Sequence, residues 1–209
     1  MDPCYHPSHF AIHGQFLGQD DGPDPRATLV PAFSQCATLL HHNIRIPGQY
    51  DWVEDINREY DPPFMHKPDD RLGWRGRTTG IIYEDKTPWY NMHRNHLVRT
   101  ANEIKGTIGV LNSNVSRGEA VGEPVSLRKS RVNPATMDVA FADHATTCYP
   151  EPVCRTVEAM FPFRPYQMEE KAGEYKYVFD IDGNGWSGRF KRLMTTNSLV
   201  FKSTIYPEW

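Results

Sequence analysis

The chain has 209 residues, of which 39% are hydrophobic and 17 are prolines, a composition typical of a folded protein with long irregular stretches. Its 23 basic and 26 acidic side chains give a net charge of −3, and no basic stripe is present, which argues against a nucleic-acid partner. No apolar run reaches the ~20 residues that span a bilayer, and the first residues lack the features of a signal peptide.

The first part of the chain has no long periodic pattern. It is rich in His, Gly, Asp and Pro, with a short apolar element at Phe10–Leu17 and a short predicted strand at Leu29–Phe33. Prolines and many charges in residues 43–70 are typical of a connector between structural units. We therefore expect two units, residues 1–60 and residues 61–209.

The next segment is predicted to form a strand, a turn and a helix. Leu72–Arg77 is a short β-prone run that leads into a turn at Thr78–Gly80. Thr87 and Pro88 make a good helix start, since threonine caps helix ends and proline suits the first helical position. The helix is expected to run from Pro88 to about Glu103.

The middle of the chain gives weaker signals. Residues 106–135 are rich in Gly, Ser, Asn and Arg, which predicts a flexible loop. A strand is predicted at Thr136–Phe141 and a short helix at Val153–Met160. Cys148 and Cys154 could close a short loop as a disulfide or remain two ordinary thiols, and the sequence leaves both open.

The strongest pattern lies near the C-terminus. Tyr175–Ile181 is an apolar, β-prone run that predicts a buried strand, and turn residues follow at Asp182–Gly185. Ser187 is expected to cap a helix with one apolar face, and Ser198–Lys202 is a further strand. Strand, glycine-rich turn, helix and strand make a βαβ unit, which predicts a parallel sheet. The fold class is therefore expected to be α/β.

The turn of this unit has the chemistry of an anion site. Ligands bind at the carboxyl ends of strands in parallel sheets, and here that end is Asn184–Arg189. Glycines let the backbone approach a ligand, the following helix N-terminus carries partial positive charge, and Arg189 adds a bidentate cation. A diphosphate is the natural ligand of such a turn. The alternative is a tight turn with a solvated arginine.

Metal binding is the rival interpretation of the same turn. Asp180, Asp182, Asn184 and Gly185 occupy positions 1, 3, 5 and 6 of a calcium-binding EF-hand loop. Position 12, which should be a bidentate glutamate, is Lys191, and the preceding segment is a predicted strand rather than a helix. The histidines show no ligand spacing such as HExxH. We therefore expect no metal site and keep a calcium-binding module only as a weaker alternative.

A family resemblance adds to this interpretation. The long run Tyr175–Leu193 strongly resembles glycosyltransferase family 90, the family of fungal capsule-associated proteins and animal protein O-glucosyltransferases. Similar segments occur in the family's order at Cys4–Phe16, Pro31–Gln35, Trp74–Gly80, His93–Arg94, Met137–Phe141, Asn197–Lys202 and Tyr206–Trp209. The resemblance covers nearly the whole chain and is closest to fungal members.

The resemblance implies a fold and an activity. Members have the GT-B fold, so residues 61–209 would be a Rossmann-type UDP-sugar donor-binding domain, truncated at its C-terminus, and residues 1–60 the C-terminal part of a Rossmann-like acceptor-side domain. The implied reaction transfers glucose or xylose from UDP-glucose or UDP-xylose to a hydroxyl of a protein serine or a glycan. The family works in the ER or Golgi lumen, or from a membrane anchor facing it. The UDP-sugar is the donor substrate and no cofactor is required, while the resemblance leaves the need for a divalent metal open.

The resemblance also implies donor-binding residues. These are Arg77, Arg94, Asn184, Gly185, Trp186, Ser187, Gly188 and Arg189. Arg94 and Arg189 would neutralise the leaving diphosphate, while Arg77 stands where the family has serine. The family's catalytic aspartate belongs to a segment upstream of the matched one, so no catalytic base is assigned and a central fragment is expected. A catalytically inactive UDP-sugar-binding fragment is the alternative function.

Overall fold

The computed structural model describes residues 4–18, 28–48, 58–59, 61–111 and 123–207. The helices and strands are α1 (His9–Ile12), α2 (Gly14–Leu17), β1 (Phe33–Ser34), β2 (Ile44–Arg45), β3 (Asp69–Gly76), α3 (His93–Asn102), β4 (Thr107–Val110), β5 (Val125–Arg128), α4 (Lys129–Thr136), β6 (Met137–Ala142), α5 (Glu151–Met160), β7 (Phe163–Arg164), α6 (Glu169–Ala172), β8 (Tyr175–Ile181), α7 (Phe190–Met194) and β9 (Leu199–Ser203). Among the helices in these ranges, none is long and apolar enough to cross a bilayer.

A five-stranded parallel sheet forms the centre of the fold. Its strand order is β7-β6-β3-β8-β9, and every neighbouring pair runs parallel. Counted along the chain, these strands lie in the order 3-2-1-4-5, which is the order of a doubly wound, Rossmann-like sheet. The winding reverses between β3 and β8, so the loops after these strands leave a crevice at the carboxyl edge. The expected α/β class is confirmed, and β8, α7 and β9 form the predicted βαβ unit.

Burial on both faces explains the apolar runs of the central strands. β6 is buried at its last five positions and β3 at its last four. Val98 of α3 and Val157 of α5 pack with Phe141 in the larger apolar cluster, whereas Leu193 of α7 packs with Val178 in a smaller one. Helices therefore cover the centre of the sheet, whereas the edge strand β9 stays exposed or half-buried.

The N-terminal segments pack against the body that contains the sheet. The predicted apolar element Phe10–Leu17 is seen as the short helices α1 and α2, and the strand predicted at Leu29–Phe33 is reduced to β1, which pairs in parallel with β2. Arg45 Nη1 donates to the carbonyl of Pro207 at 2.6 Å. The division of the chain at residue 60 stays a prediction.

The helix predicted from Pro88 starts later. Trp89–Asn91 forms a 3₁₀ helix, Met92 is extended, and α3 begins at His93. The Thr87 hydroxyl caps no helix, because it donates to backbone carbonyls of the preceding turn. Met92 separates the 3₁₀ helix from α3. Its side chain is fully buried in the core, and this burial stabilises the extended backbone at that position.

Within the predicted flexible loop 106–135, the described residues 106–111 and 123–135 mostly form regular secondary structure. β4 and β5 form an antiparallel hairpin, and α4 follows directly. The Asn133 amide donates to the carbonyls of Thr100 and Glu103 at 2.9 and 2.8 Å, which ties α4 to the end of α3. The loop prediction was wrong here because these tertiary hydrogen bonds outweigh weak local propensity. Residues 112–122 lie outside the described residues.

Of the two possibilities left open for Cys148 and Cys154, the structure contains the disulfide. Cys148 and Cys154 form a disulfide, with their Cα atoms 5.3 Å apart. The bond joins the segment after β6 to the first turns of α5.

Candidate functional site

A cavity of about 510 Å³ opens at the carboxyl ends of β3 and β8. Its walls come from the turn after β3, the loop after β7 and the loop after β8, here called the 183–189 loop. This is the point where the strand order reverses, which is where ligands bind in doubly wound sheets. The cavity is therefore the first candidate for a functional site.

The floor of the cavity is an indole ring. Trp74 is 2% exposed, and its Nε1–H has no hydrogen-bond partner within the described part of the chain. A Cβ on Gly76 would lie 2.5 Å from Trp74 Cζ2 and 3.1 Å from Arg189 Nη2, so only glycine leaves room for both side chains. A buried donor without a partner costs free energy, so the indole is held in place by packing rather than by a hydrogen bond of its N–H.

Arg189 extends across this floor. Its Nη1 donates to the carbonyl of Arg75 at 2.7 Å, and its guanidinium carbon lies 5.9 Å from the centre of the Trp74 ring. The side chain is 28% exposed, so part of the guanidinium still faces the cavity. Its Nε lies 4.0 Å from Asp180 Oδ1. This geometry suits bidentate binding of an anion.

Arg94 is held differently. The side chain is buried, and its Nε and Nη2 donate to the carbonyls of Asp182 and Ile181 at 2.7 and 3.1 Å. Its Nη1 donates to the Arg77 carbonyl and to Thr79 Oγ1, both at 2.8 Å. Arg94 therefore ties the end of β8 to the turn after β3, and most of its donors are used inside the protein.

The two guanidinium groups share one environment. Arg94 also lies over the Trp74 ring, 5.7 Å from its centre. Burial, with the nearby Arg189 charge, lowers the pKa of Arg94 to about 10, so the group stays protonated at neutral pH. Burial also lowers the pKa of Arg189, and the Asp180 carboxylate opposes that shift. An anion bound between the two cations would reduce their mutual repulsion.

Asp180, in β8, anchors the 183–189 loop through a hydrogen bond to Ser187. The carboxylate is fully buried, accepts from Ser187 Oγ at 2.5 Å and pairs with Lys202 Nζ at 2.7 Å. Ser187 was predicted to cap the helix, and this is wrong: α7 begins at Phe190, and the Ser187 side chain makes no cap. The buried carboxylate needs hydrogen bonds, and Ser187 supplies one of them.

All but one of the residues predicted to bind the donor line this cavity. They are Arg77, Arg94, Asn184, Trp186, Ser187, Gly188 and Arg189. Gly185 instead lies on the wall of an adjacent cavity of about 490 Å³, with a φ of 91°, and a Cβ there would lie 2.8 Å from Cys36 Sγ. Asn184 lines both cavities, and its Oδ1 accepts from the Gly80 N–H at 2.6 Å.

Sequence reasoning missed part of the lining. Trp74 and Gly76 belong to a predicted strand, and nothing in that pattern says that they face a ligand. Tyr166 and Gln167 follow β7, which has only two residues and left no strand signal. The rule that sites form at carboxyl ends of strands could have found Gly76, because it is the last residue of β3.

The EF-hand spacing does not assemble a calcium loop. The Asp180 oxygens contact Ser187 and Lys202, whereas Asp182 Oδ2 contacts His13 Nε2 at 3.2 Å. Asn184 Oδ1 is turned to a backbone N–H. Within the described ranges, no group of three or more His, Cys, Asp or Glu side chains is arranged to hold a metal ion. The carboxylates act instead as internal hydrogen-bond acceptors.

Comparison of the chain with protein-family models, with curated proteins and with solved structures finds no match. The type of ligand that the cavity binds must therefore be inferred from the residues that line it. Two arginines, an indole ring and a glycine-rich loop line one space. Groups of this kind bind phosphates and carboxylates.

Proposed function

We propose that the cavity binds the diphosphate of a UDP-sugar, and that the chain is the donor-binding part of a GT-B glycosyltransferase similar to family 90. The reaction would transfer glucose or xylose to a hydroxyl of a protein or a glycan. The observation that carries the proposal is the pair Arg94 and Arg189 over Trp74, at the switch point of a parallel sheet. The choice of UDP as the nucleotide and of glucose or xylose as the sugar follows from the family resemblance alone.

The charge distribution fits a leaving group that gains negative charge. As the acceptor oxygen bonds to the anomeric carbon, the bond from that carbon to the diphosphate breaks, and the electron pair moves to the diphosphate. Arg189 faces the cavity and can bind these oxygens more tightly as their charge grows. The acceptor proton passes to a general base, which is assigned to none of the cavity residues.

Arg94 has a supporting part in this proposal. Its hydrogen bonds set the separation between the turn after β3 and the 183–189 loop. A site that is already arranged before the substrate arrives loses little free energy by reorganising during the reaction. The disulfide between Cys148 and Cys154 agrees with a lumenal location of the enzyme.

Calorimetric titration with UDP-glucose and with UDP-xylose tests the proposal. We expect Arg189→Ala to weaken binding by roughly tenfold or more, because a charge-assisted hydrogen bond to phosphate is lost. The matched control is Arg155→Ala, since Arg155 is an exposed residue of α5 that pairs with Glu151. A folded chain that binds neither nucleotide sugar, or equal affinity in the wild type and Arg189→Ala, contradicts the proposal.

Turnover separates the enzyme from a UDP-sugar-binding fragment. Release of UDP in the presence of acceptor peptides or glycosides indicates transfer. Binding without release, in a chain that keeps its affinity, indicates the inactive binding function.

A further inference from the structure

Two buried imidazoles meet at the start of the 183–189 loop. His13, which precedes α2, and His93, the first residue of α3, stack with ring centres 4.2 Å apart and planes within 5° of parallel. Both are nearly inaccessible to solvent. Both rings contact Asp182, the residue that follows β8 and leads into the loop.

The hydrogen bonds fix the protonation of both rings. His13 Nδ1 accepts from the Gln15 N–H at 3.1 Å, and His93 Nδ1 accepts from the Gly14 N–H at 3.4 Å. A backbone N–H can only donate, so neither Nδ1 carries a proton. His93 Nε2 lies 2.9 Å from the Asp182 carbonyl, which can only accept, and His13 Nε2 lies 3.2 Å from Asp182 Oδ2. Both rings are therefore neutral Nε2–H tautomers.

The surroundings of His93 favour its neutral state. Burial and the neighbouring His13 ring lower the pKa of His93 to about 3, and Arg94 acts in the same direction while Asp182 opposes it. The Tyr206 ring packs against His13, with centres 5.9 Å apart. A charged imidazole would gain an Nδ1–H directed at a backbone N–H, so the contact depends on neutral rings.

Helix α2 contacts the turn after β3 and the side chain of Tyr206. A Cβ on Gly14 would lie 2.0 Å from the Gly80 carbonyl oxygen, so the helix backbone touches the turn after β3. Gln15 Oε1 accepts from the Tyr206 hydroxyl at 2.8 Å. The N–H groups of α2 thus orient the imidazoles, and the imidazoles hold Asp182, the residue that precedes the loop.

We propose that His13 and His93 are positioning residues for the 183–189 loop. The two rings act as a neutral clamp on Asp182: His93 holds its carbonyl beside Arg94, and His13 holds its carboxylate. Residues 13–17 then contribute to donor binding indirectly, because they position the loop that contacts the donor. The inference rests on the proposed function, because it assigns the residues that arrange the diphosphate site before the ligand binds.

Three substitutions test the clamp by titration with UDP-glucose. We expect His93→Phe, which keeps a ring but removes both nitrogens, to weaken binding by about fivefold or more through loss of loop order. His93→Gln keeps a neutral donor and acceptor and should restore most of the affinity. The control is His96→Phe, because His96 is an exposed residue of the same helix.

A spectroscopic measurement on the wild type complements the variants. Long-range ¹H–¹⁵N correlation spectra should show His93 as the Nε2–H tautomer at pH 7 and at pH 5, and the Nε2 resonances of His13 and His93 should shift when UDP-glucose binds. Nδ1–H tautomers, or resonances that ignore bound UDP-glucose, overturn the clamp even if His93→Phe fails to fold.

The outcomes distinguish the two proposals. Wild-type affinity in a folded His93→Phe variant overturns the positioning role and leaves the donor site in place. A folded wild type that does not bind UDP-glucose overturns the proposed function, and the positioning role with it.

Discussion

Glycine at two strand ends lets large side chains lie directly on the backbone. A Cβ on Gly76, the last residue of β3, would overlap the Trp74 ring. A Cβ on Gly183, just after β8, would lie 2.8 Å from Arg94 Nη2. The position of the Trp74 ring therefore requires glycine at 76, and the position of the Arg94 guanidinium requires glycine at 183.

We expect Gly76→Ala to weaken binding of UDP-glucose by roughly tenfold, because the indole and the Arg189 guanidinium must both move away from the new methyl group. The measurement is calorimetric titration. Gly109→Ala is the control: Gly109 lies on the hairpin of β4 and β5, where a Cβ would be 3.2 Å from Pro124 Cβ. An unchanged affinity in Gly76→Ala would mean that the floor tolerates a side chain.

At the scale of elements, helix α3 connects the N-terminal segment to the sheet. Its first two residues, His93 and Arg94, both reach the carbonyl of Asp182. The third, Asn95, accepts from the Tyr83 hydroxyl at 2.8 Å and donates to the Trp89 carbonyl at 2.6 Å. One turn of helix therefore fixes the end of β8 and the segment that precedes α3.

The disulfide restrains the entry to α5. We expect the double variant Cys148→Ser/Cys154→Ser to lower the free energy of unfolding by about 2 kcal/mol, because a short loop is freed in the unfolded chain. Urea denaturation measures this loss. UDP-glucose affinity should not change, since neither cysteine lines the donor cavity. Cys4→Ser is the control, and a stability equal to the wild type in the double variant would contradict a stabilising bond.

At the scale of the whole molecule, the sign of the charge differs between the surface and the cavity. The chain carries a net charge of −3, yet the cavity collects guanidinium groups. They are Arg75, Arg77, Arg94, Arg189 and Arg192. Arg75 and Arg192 pair with Asp138 and Glu169, so Arg94 and Arg189 are the groups whose positive charge attracts an anionic ligand.

The stability of the molecule should fall as the pH drops below 6.5. The pKa of His93 is about 3 in the folded protein and 6.5 without the fold, so the unfolded chain binds more protons between these values. Stability therefore rises with pH in this window. Going from pH 6.5 to pH 5, we expect a loss of about 2 kcal/mol in urea denaturation. In His93→Gln this part of the loss should vanish, while in His96→Phe it should remain.

Local patterns predict three strands of the central sheet closely. The bounds predicted for β8 agree with the structure, and those for β6 and β9 differ by one residue at each end. β6 and much of β8 are buried, so the core dictates their apolar runs, whereas β9 is exposed or half-buried along its length. The helix start at Pro88 fails because Thr87 bonds to a turn instead of capping. Local preference gives way wherever a tertiary hydrogen bond competes for the same group.

The sequence by itself determined the α/β class, the βαβ unit at Tyr175–Ser203 and the glycine-rich loop that ends in Arg189, because each depends on neighbours in the chain. Only the tertiary structure decided what the polar groups do. Ser187 donates a hydrogen bond to Asp180, and Arg94 connects two loops. His13 contacts Asp182, which lies 169 positions away in the sequence. A buried polar group takes whatever partner the fold brings near, and sequence spacing does not record that partner.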